Sequence, residues 1–391
     1  MVSQDTRSVA AGTRPEGTGT GSTGVQDADR KVRIVRVSPE GAATVAGAAA
    51  SALALVWVLY ERVLPFTGVL GFWLCWYVAF LLLYATMARM QWDWRDVVNK
   101  VMAVALATGG ALVLAVVLGT DLYTLVRGAA AVVHANFWYQ SMAFAGPTSG
   151  LDIGGAAHAA VGTLEQIAIG TMLSVPLAVA TAVFLSEVGG ALARPVRIIV
   201  EAMTALPDII AGLFIYALFI LTFGMQKSGL AAGLAIAVTM LPIIARASEV
   251  VLRLVPGTLR EASYALGSSQ WRTVWNVVLP TARPGLATAI VLGMARGIGE
   301  TAPVLIVAGY TKEFNFDPLS GPMVSLPLYI WNFVHIEGVN PGYVARGFGA
   351  GVVLVLIVLA LFTIARKLGG TAPGELTKRQ RRQLARQGAR V

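Results

Sequence analysis

A chain of 391 residues with 56% hydrophobic and only 13% charged residues stands far from soluble domains, which carry about 25% charged residues. That composition, with its positive mean hydropathy, excludes an ordinary soluble fold and places the chain in a membrane. The net charge of +9 would suit a nucleic-acid partner in a soluble protein, but here its distribution follows membrane orientation, so no nucleic acid is expected.

Residues 1–40, which include "AGTRPEGTGTGSTG", are rich in Gly, Thr and Ser and lack apolar periodicity, and are expected to form a disordered cytoplasmic tail. No cleavable signal peptide is evident in them. Crossing ~30 Å of hydrocarbon takes about 20 apolar residues of helix. Runs of that kind cover 42–60, 66–88, 101–120, 158–186, 197–223, 229–252, 282–309 and 347–366. None alternates in polarity as the strands of a membrane barrel do. The expected fold class is an all-α polytopic membrane protein of about eight transmembrane helices.

Lys and Arg are retained on the cytoplasmic side. With both termini cytoplasmic, they gather in the N-terminal tail, in 89–100, 187–197 and 246–283, and from Arg366 onward, while the outer side keeps Arg62, Arg127, Lys227, Lys312 and Arg346. Of the 30 basic residues, Arg296 belongs to neither side. The basic tail 368–391, with "KRQRRQLAR", is expected to lie against anionic headgroups of the membrane lipid.

Several chemistries are not indicated. Cys75 is the only cysteine, which excludes an intrachain disulfide and a cysteine-based metal site. His134, His158 and His335 lie in or beside the expected external loops, including a long one at 121–157, without ligand spacing, and read as solvated or interfacial. No Gly-x-x-x-x-Gly-Lys-Ser/Thr run is present, so any ATP is expected on another subunit.

The cytoplasmic stretch 256–280, "PGTLREASYALGSSQWRTVWNVVLP", reads as two short helices. Thr258 and Glu261 have the spacing of a capping box, and Gly267 suits the left-handed residue that ends a helix. A second helix starts at Ser268 or Ser269, sets Trp271, Val274, Trp275 and Val278 on one face, and is expected to stop at Pro280. Such a hairpin could lie on the membrane with its tryptophans among the headgroups, or dock a partner.

Its spacing resembles a known family. Glu261-Ala262-Ser263, then Gly267 after three residues, then Val277-Val278-Leu279-Pro280 after nine more, is similar to the coupling-loop signature of ABC importer permeases, Glu-Ala-Ala, three residues, Gly, nine residues, Ile-x-Leu-Pro. Ser263 and Val277 are the departures. The stretches "LPDIIAGLFIYAL" (206–218), "LPIIARASEVVLRLVPGTLREASYALG" (241–267) and "ARGIGETAPVL" (295–305) further resemble the PstA-type permeases of the bacterial phosphate importer, over roughly 150–367.

This resemblance implies a six-helix permease core at 101–367 with its coupling loop at 256–280, and two additional N-terminal helices within 41–100. It implies a PstC-type permease as heterodimer partner, two ATPase subunits that hold ATP and Mg, an extracytoplasmic phosphate-binding protein, and a bacterial cytoplasmic (inner) membrane location. Glu261, Ala262, Ser263, Gly267, Leu279 and Pro280 then become the ATPase-coupling residues, and this chain is a transport subunit rather than an enzyme.

Arg296 and Glu300 are expected about 20 to 27 Å along the seventh helix at 1.5 Å per residue, deep in the membrane. Unpaired charge there costs at least ~2.5 to 3.5 kcal/mol, and spacing i, i+4 lets the two neutralise each other. Gly293, Arg296, Gly297 and Glu300 share one helix face, expected to look into the bundle. The pair can be a static tie between helices or the gate of an anion path, with the guanidinium matched to phosphate oxygens. Arg246, inside the cytoplasmic end of span six, is a second anion station or a snorkelling residue. Asp208, after Pro207, can pair with either arginine. Sulfate or molybdate as substrate stays open, as does an ion-coupled secondary carrier, although no internal repeat supports the latter.

Overall fold

The computed structural model describes residues 39–63, 68–146, 149–336 and 340–369. The two expected tails lie outside the described residues, save for positions 39, 40, 368 and 369. Contacts divide the chain into two units, 1–115 and 116–391. Helix is the only regular structure among the described residues.

The first unit holds α1 (Pro39–Val58), α2 (Val69–Arg89) and the start of α3 (Trp94–Val132). Trp76, Phe80 and Tyr84 recur at i, i+4, i+8 and so share one face of α2, where successive rings stack with centroids 6.0 and 6.2 Å apart. The Trp76 indole donates to the Ala49 carbonyl at 3.1 Å, tying α2 to α1, and the Tyr77 and Thr108 hydroxyls meet at 2.5 Å.

The second unit contains the remainder of α3, the short α4 (Asn136–Tyr139), α5 (Ala157–Val183, continued by a π turn Phe184–Val188), α6 (Ala193–Ala205), α7 (Asp208–Ile215, continued by Tyr216–Thr222) and α8 (Gly229–Arg253). There follow α9 (Gly257–Ala265), α10 (Gln270–Thr273, with a π turn Val274–Val278), α11 (Leu279–Ile298), α12 (Ala302–Val307), α13 (Leu326–Ile330, continued by Trp331–Ile336) and α14 (Pro341–Gly369).

Among the described residues seven helices are long and apolar enough to cross a membrane, and α6 with α7, bent by 103° at the break between them, makes an eighth candidate if the pair is counted as one span. The eight expected runs each coincide with one of these, so the all-α polytopic fold stands. Small residues bring the backbones together, as membrane helices without a hydrophobic drive between them require. A methyl group placed on Gly170 of α5 would lie 3.0 Å from Ile236 Cγ2 of α8, and one on Gly297 of α11 would lie 2.6 Å from Met240 Sδ of α8. Ala231, Ala232, Ala235, Met240 and Ile244 of α8 are buried at the centre of this core.

Four expectations need correction. The outer stretch 121–157 is not all loop, because α3 continues to Val132; a helix closes its own backbone hydrogen bonds and can project past the apolar run. The hairpin's second helix does not stop at Pro280, and helix runs without interruption from Gln270 to Ile298. Pro280 lacks an N–H and crowds the preceding turn, and the wider π turn at Val274–Val278 gives it room. The seventh span does not run on to 309: it ends at Ile298, breaks at Gly299–Thr301 and restarts as α12. His158 is not solvated but buried, edge-on to Tyr329 and Phe314.

Arg346, which the charge count assigns to the outer side, is fully buried near the start of α14, where its Nη2 donates to the carbonyls of Gly150 and Ile153 at 2.6 and 2.8 Å.

Candidate functional site

Two helix breaks define the site. At the first, Leu206 is extended (ψ 134°) because it precedes Pro207, and α7 starts afresh at Asp208. Its carboxylate lies in the first turn, where the free amides of a helix favour negative charge. At the second, the chain leaves α11 through Gly299, and Glu300 and Thr301 lie in non-helical backbone before α12. Gly212 of α7 packs directly on Pro303 of α12, where an added methyl group would lie 2.6 Å from Pro303 Cα and 2.8 Å from its carbonyl oxygen. That contact holds the two breaks side by side.

Arg296, in the last turn of α11, projects between them. Its Nη2 donates to Asp208 Oδ2 at 2.6 Å, and its Nε stands 3.5 Å from Glu300 Oε1. The i, i+4 pairing with Glu300 is therefore real but secondary, and the closest carboxylate comes from another span. The helix ends at Ile298, before Glu300, so the pair stands 3.5 Å apart and not at the spacing of a continuous helix. Glu300 is buried, whereas the Arg296 side chain remains 49% exposed.

Arg296 and Asp208 line a cavity of about 260 Å³ together with Thr204, Pro207, Thr239 and Pro242. Both threonine hydroxyls donate to carbonyls of their own helices, Thr204 to Glu201 at 2.6 Å and Thr239 to Ile236 at 2.9 Å. On the expected shared face, Gly293 and Gly297 pack against Ile244 and Met240 of α8, while Arg296 at its edge turns to the cavity.

One turn along α8 from Pro242, Arg246 is half exposed and donates to Glu201 of α6 at 2.6 Å. Further along, Arg197 and Arg253 both reach the buried carboxylate of Glu249, at 2.8 and 2.6 Å. Glu201 and Glu249 escaped the sequence reading. Their signal was available, since each acid stands in a segment whose other charges are basic.

The hairpin differs in detail from its expected capping. Helix α9 starts at Gly257 behind Pro256, and the Thr258 side chain makes no cap. With Pro256 as N-cap the helix starts two residues earlier than a Thr258 cap would have it, which places Thr258 within the first turn. The exit is as expected: Gly267 has φ 78°, its amide bonds Tyr264 O, and Ser269 caps α10 by accepting from the Arg272 amide. Ser263, the departure from the family alanine, is buried and bonds the Thr273 hydroxyl at 2.8 Å, joining the two arms. Glu261 and Ala262 are exposed, and Leu266 is 88% exposed. Leu279 packs with Val278, Ala282 and Leu286 under the hairpin, and Pro280 lies at the edge of an apolar groove between α11 and α14.

Arg260 of α9 makes two hydrogen bonds to Glu187, at 3.0 and 2.7 Å, and these hold its guanidinium above even the usual arginine range. No group of three or more His, Cys, Asp or Glu side chains able to hold a metal occurs among the described residues.

Residues 174–368 match the family of binding-protein-dependent transport system inner membrane components. The "Phosphate transport system permease protein PstA 1" of Mycobacterium tuberculosis (strain ATCC 25618 / H37Rv) is 41% identical over 240 residues, which is 61% of this chain and 76% of that protein. The PstA protein of Haemophilus influenzae is 29% identical over 285 residues, 71% of this chain and 96% of the relative. A solved bacterial ABC transporter of alginate import superposes loosely, with a TM-score of 0.49 and 14% identity over 70% of this chain and 98% of that one. The likeness thus extends across most of a relative's length at 41% identity, and the chain, a membrane bundle with two facing helix breaks and a capped helical hairpin, belongs to the PstA-type phosphate transport permeases.

Proposed function

We propose that this chain is the membrane subunit of an ATP-driven importer that carries inorganic phosphate across the bacterial cytoplasmic membrane. The carrying observation is Arg296: its guanidinium, half exposed in the last turn of α11, bonds the carboxylate at the start of α7 and lines the cavity between the two helix breaks, where a charge suits a water-filled path or a partner subunit and not lipid. Helix breaks at membrane depth are tolerated where they line such a path.

The geometry suits an anion that must pass through. In the state described, one guanidinium serves two carboxylates, so the cluster carries no surplus positive charge and an incoming anion is repelled. Phosphate reaches Arg296 when Asp208 withdraws, taking two parallel N–H donors in its place. Glu300 stays close and keeps that site from binding too tightly, as release requires. Arg246, held by Glu201, offers a second station toward the cytoplasm.

The partners follow from the family and from exposed surface. Glu261, Ala262 and Leu266 lie uncovered on the hairpin, and we assign them to an ATPase subunit, with ATP and Mg bound there. A PstC-type permease completes the path, and an extracytoplasmic phosphate-binding protein delivers the ion. The helices within 41–100 are additional to the six-helix core.

Uptake of radiolabelled phosphate by a strain lacking this chain, with and without the restored gene, tests the assignment. Restored phosphate uptake that depends on ATP and resists excess sulfate and molybdate is the expected result. Restored sulfate or molybdate uptake alone would replace the substrate, and uptake driven by an ion gradient without ATP would replace the class.

A further inference from the structure

The cytoplasmic end of α5 is held by both arms of the hairpin. Glu187, whose side chain is 5% exposed, accepts two hydrogen bonds from Arg260 of α9, and its backbone carbonyl accepts from the Gln270 side chain of α10. Arg260 also donates to the carbonyls of Val255 and Leu252, at 2.7 and 3.0 Å, at the C-terminus of α8. With Ser263 bonded to Thr273, α9 and α10 form one body fixed at Glu187. The hairpin is therefore fastened to a helix that is not its neighbour in sequence, as well as to α8 and α11, with which it is continuous.

The opposite end of α5 is held just as specifically. The Thr163 hydroxyl accepts from the Leu326 amide at 2.7 Å, and the Gln166 side chain donates to the Met323 carbonyl at 2.9 Å. Both side chains are buried. Gly162 packs on the Val324 carbonyl with no space for a side chain. Between Gln166 and Glu187 the chain stays helical through Pro176 and the π turn Phe184–Val188, a length of about 32 Å at 1.5 Å per residue, and Gly170 and Gly233 bring it into close contact with α8.

We infer that Glu187 is a positioning residue that makes α5 a transmission rod, carrying displacement between the coupling hairpin on one face of the membrane and the segment 323–326 on the other. The inference rests on the reading of the hairpin as the ATPase contact. Signals from a docked binding protein then reach the hairpin through α5, whose two fastenings act in series.

The test uses the complete reconstituted complex, with ATPase activity measured with and without phosphate-loaded binding protein. Glu187→Gln and Gln166→Leu should each lower the stimulated-to-basal ratio about fivefold or more, with basal activity and recovered complex retained. Because the fastenings act in series, the double variant should be no worse than the poorer single one, whereas independent sites would multiply. Multiplied effects, or a wild-type ratio in an intact Glu187→Gln complex, would overturn the inference. A thiol-reactive cross-linker joining Glu187→Cys to Arg260→Cys, in a Cys75→Ala background, should restore the ratio that the unlinked double variant loses; failure to restore it also counts against the rod. Amide hydrogen exchange needs no substrate: Glu187→Gln should speed exchange across 257–279, and unchanged exchange would sink the fastening. A wild-type complex with no phosphate stimulation would refute the proposed function, and the exchange experiment would still decide the link.

Discussion

Arg296 and Asp208 meet at 2.6 Å although 88 positions separate them in the chain, and each stands at the edge of a helix break. Helix ends leave backbone groups unsatisfied, and charged side chains there find partners that a continuous helix does not offer. In a Glu300→Gln background, so that no buried carboxylate loses its counter-charge, the double variant Arg296→Met with Asp208→Asn removes the bond and leaves no charge unpaired, and such ion pairs are often no better than neutral isosteres. The double variant is expected to assemble normally. If the guanidinium carries the anion, loss of its charged hydrogen bonds should cut phosphate uptake roughly ten- to hundredfold. Arg296→Lys should also be impaired, because an ammonium lacks the planar two-point contact. Near-normal uptake per recovered complex in the double variant would leave the pair as a static tie.

Gly212→Ala tests how the two breaks are held together. The added methyl group would meet the backbone of Pro303, which cannot swing aside as a flexible side chain would. Overpacking of this kind costs about 1–3 kcal/mol. It should push α7 away from α12, separating Asp208 from Arg296, and show as a lowered thermal midpoint with uptake reduced further than complex recovery. An unchanged midpoint would mean that the helices slip apart freely.

Gly267 is required for its backbone and not for its size, since nothing lies within 4 Å of an added methyl group while φ is 78°. Gly267→Val should cost the hairpin about 1–2 kcal/mol, and Gly267→Asn distinctly less. ATP hydrolysis that no longer responds to substrate in the valine variant, with the asparagine variant close to wild type, is the expected pattern. Equal behaviour of the two would show that the left-handed turn is dispensable.

Orientation can be read with single cysteines in a Cys75→Ala background. Leu266 of the hairpin and Leu319 of the loop before α13 are 88% and 65% exposed. An impermeant thiol reagent should label Leu319→Cys in intact cells and Leu266→Cys only in inverted vesicles. Labelling of both from one side would contradict the eight-span arrangement, and reversal of the two would invert the termini.

Asp317 shapes the loop before α13. The Ser320 hydroxyl, and after it the Leu319 amide, hold its carboxyl below the ordinary carboxylate range. A group with a depressed folded-state pKa adds stability that is present above its unfolded value, about 3.9 for Asp, and is lost as pH falls through the folded value. Exchange at the Leu319 amide, corrected for its intrinsic rate, should quicken as pH drops below about 4, and Asp317→Asn should abolish that dependence. A pH-independent wild-type rate would exclude the carboxylate as the brace.

The spans, the hairpin and its glycine were legible in the sequence because each depends on local quantities. Insertion into a bilayer sums transfer free energies over about 20 consecutive residues, and a left-handed turn is decided within four residues, whereas the Thr258 cap gave way to the start set by Pro256. Tertiary structure alone decided which carboxylate Arg296 takes, since Glu300 was one turn away in an ideal helix and Asp208 was not. The same holds for the 103° bend at Pro207: a proline removes one hydrogen bond, and the packing of Gly212 on Pro303 determines how far the chain then turns. Glu187 carries no motif, and its role arises only where α5, α8 and the hairpin converge. Long-range pairing of charges in a membrane is settled by which helices can approach closely, and that is a property of the packed bundle.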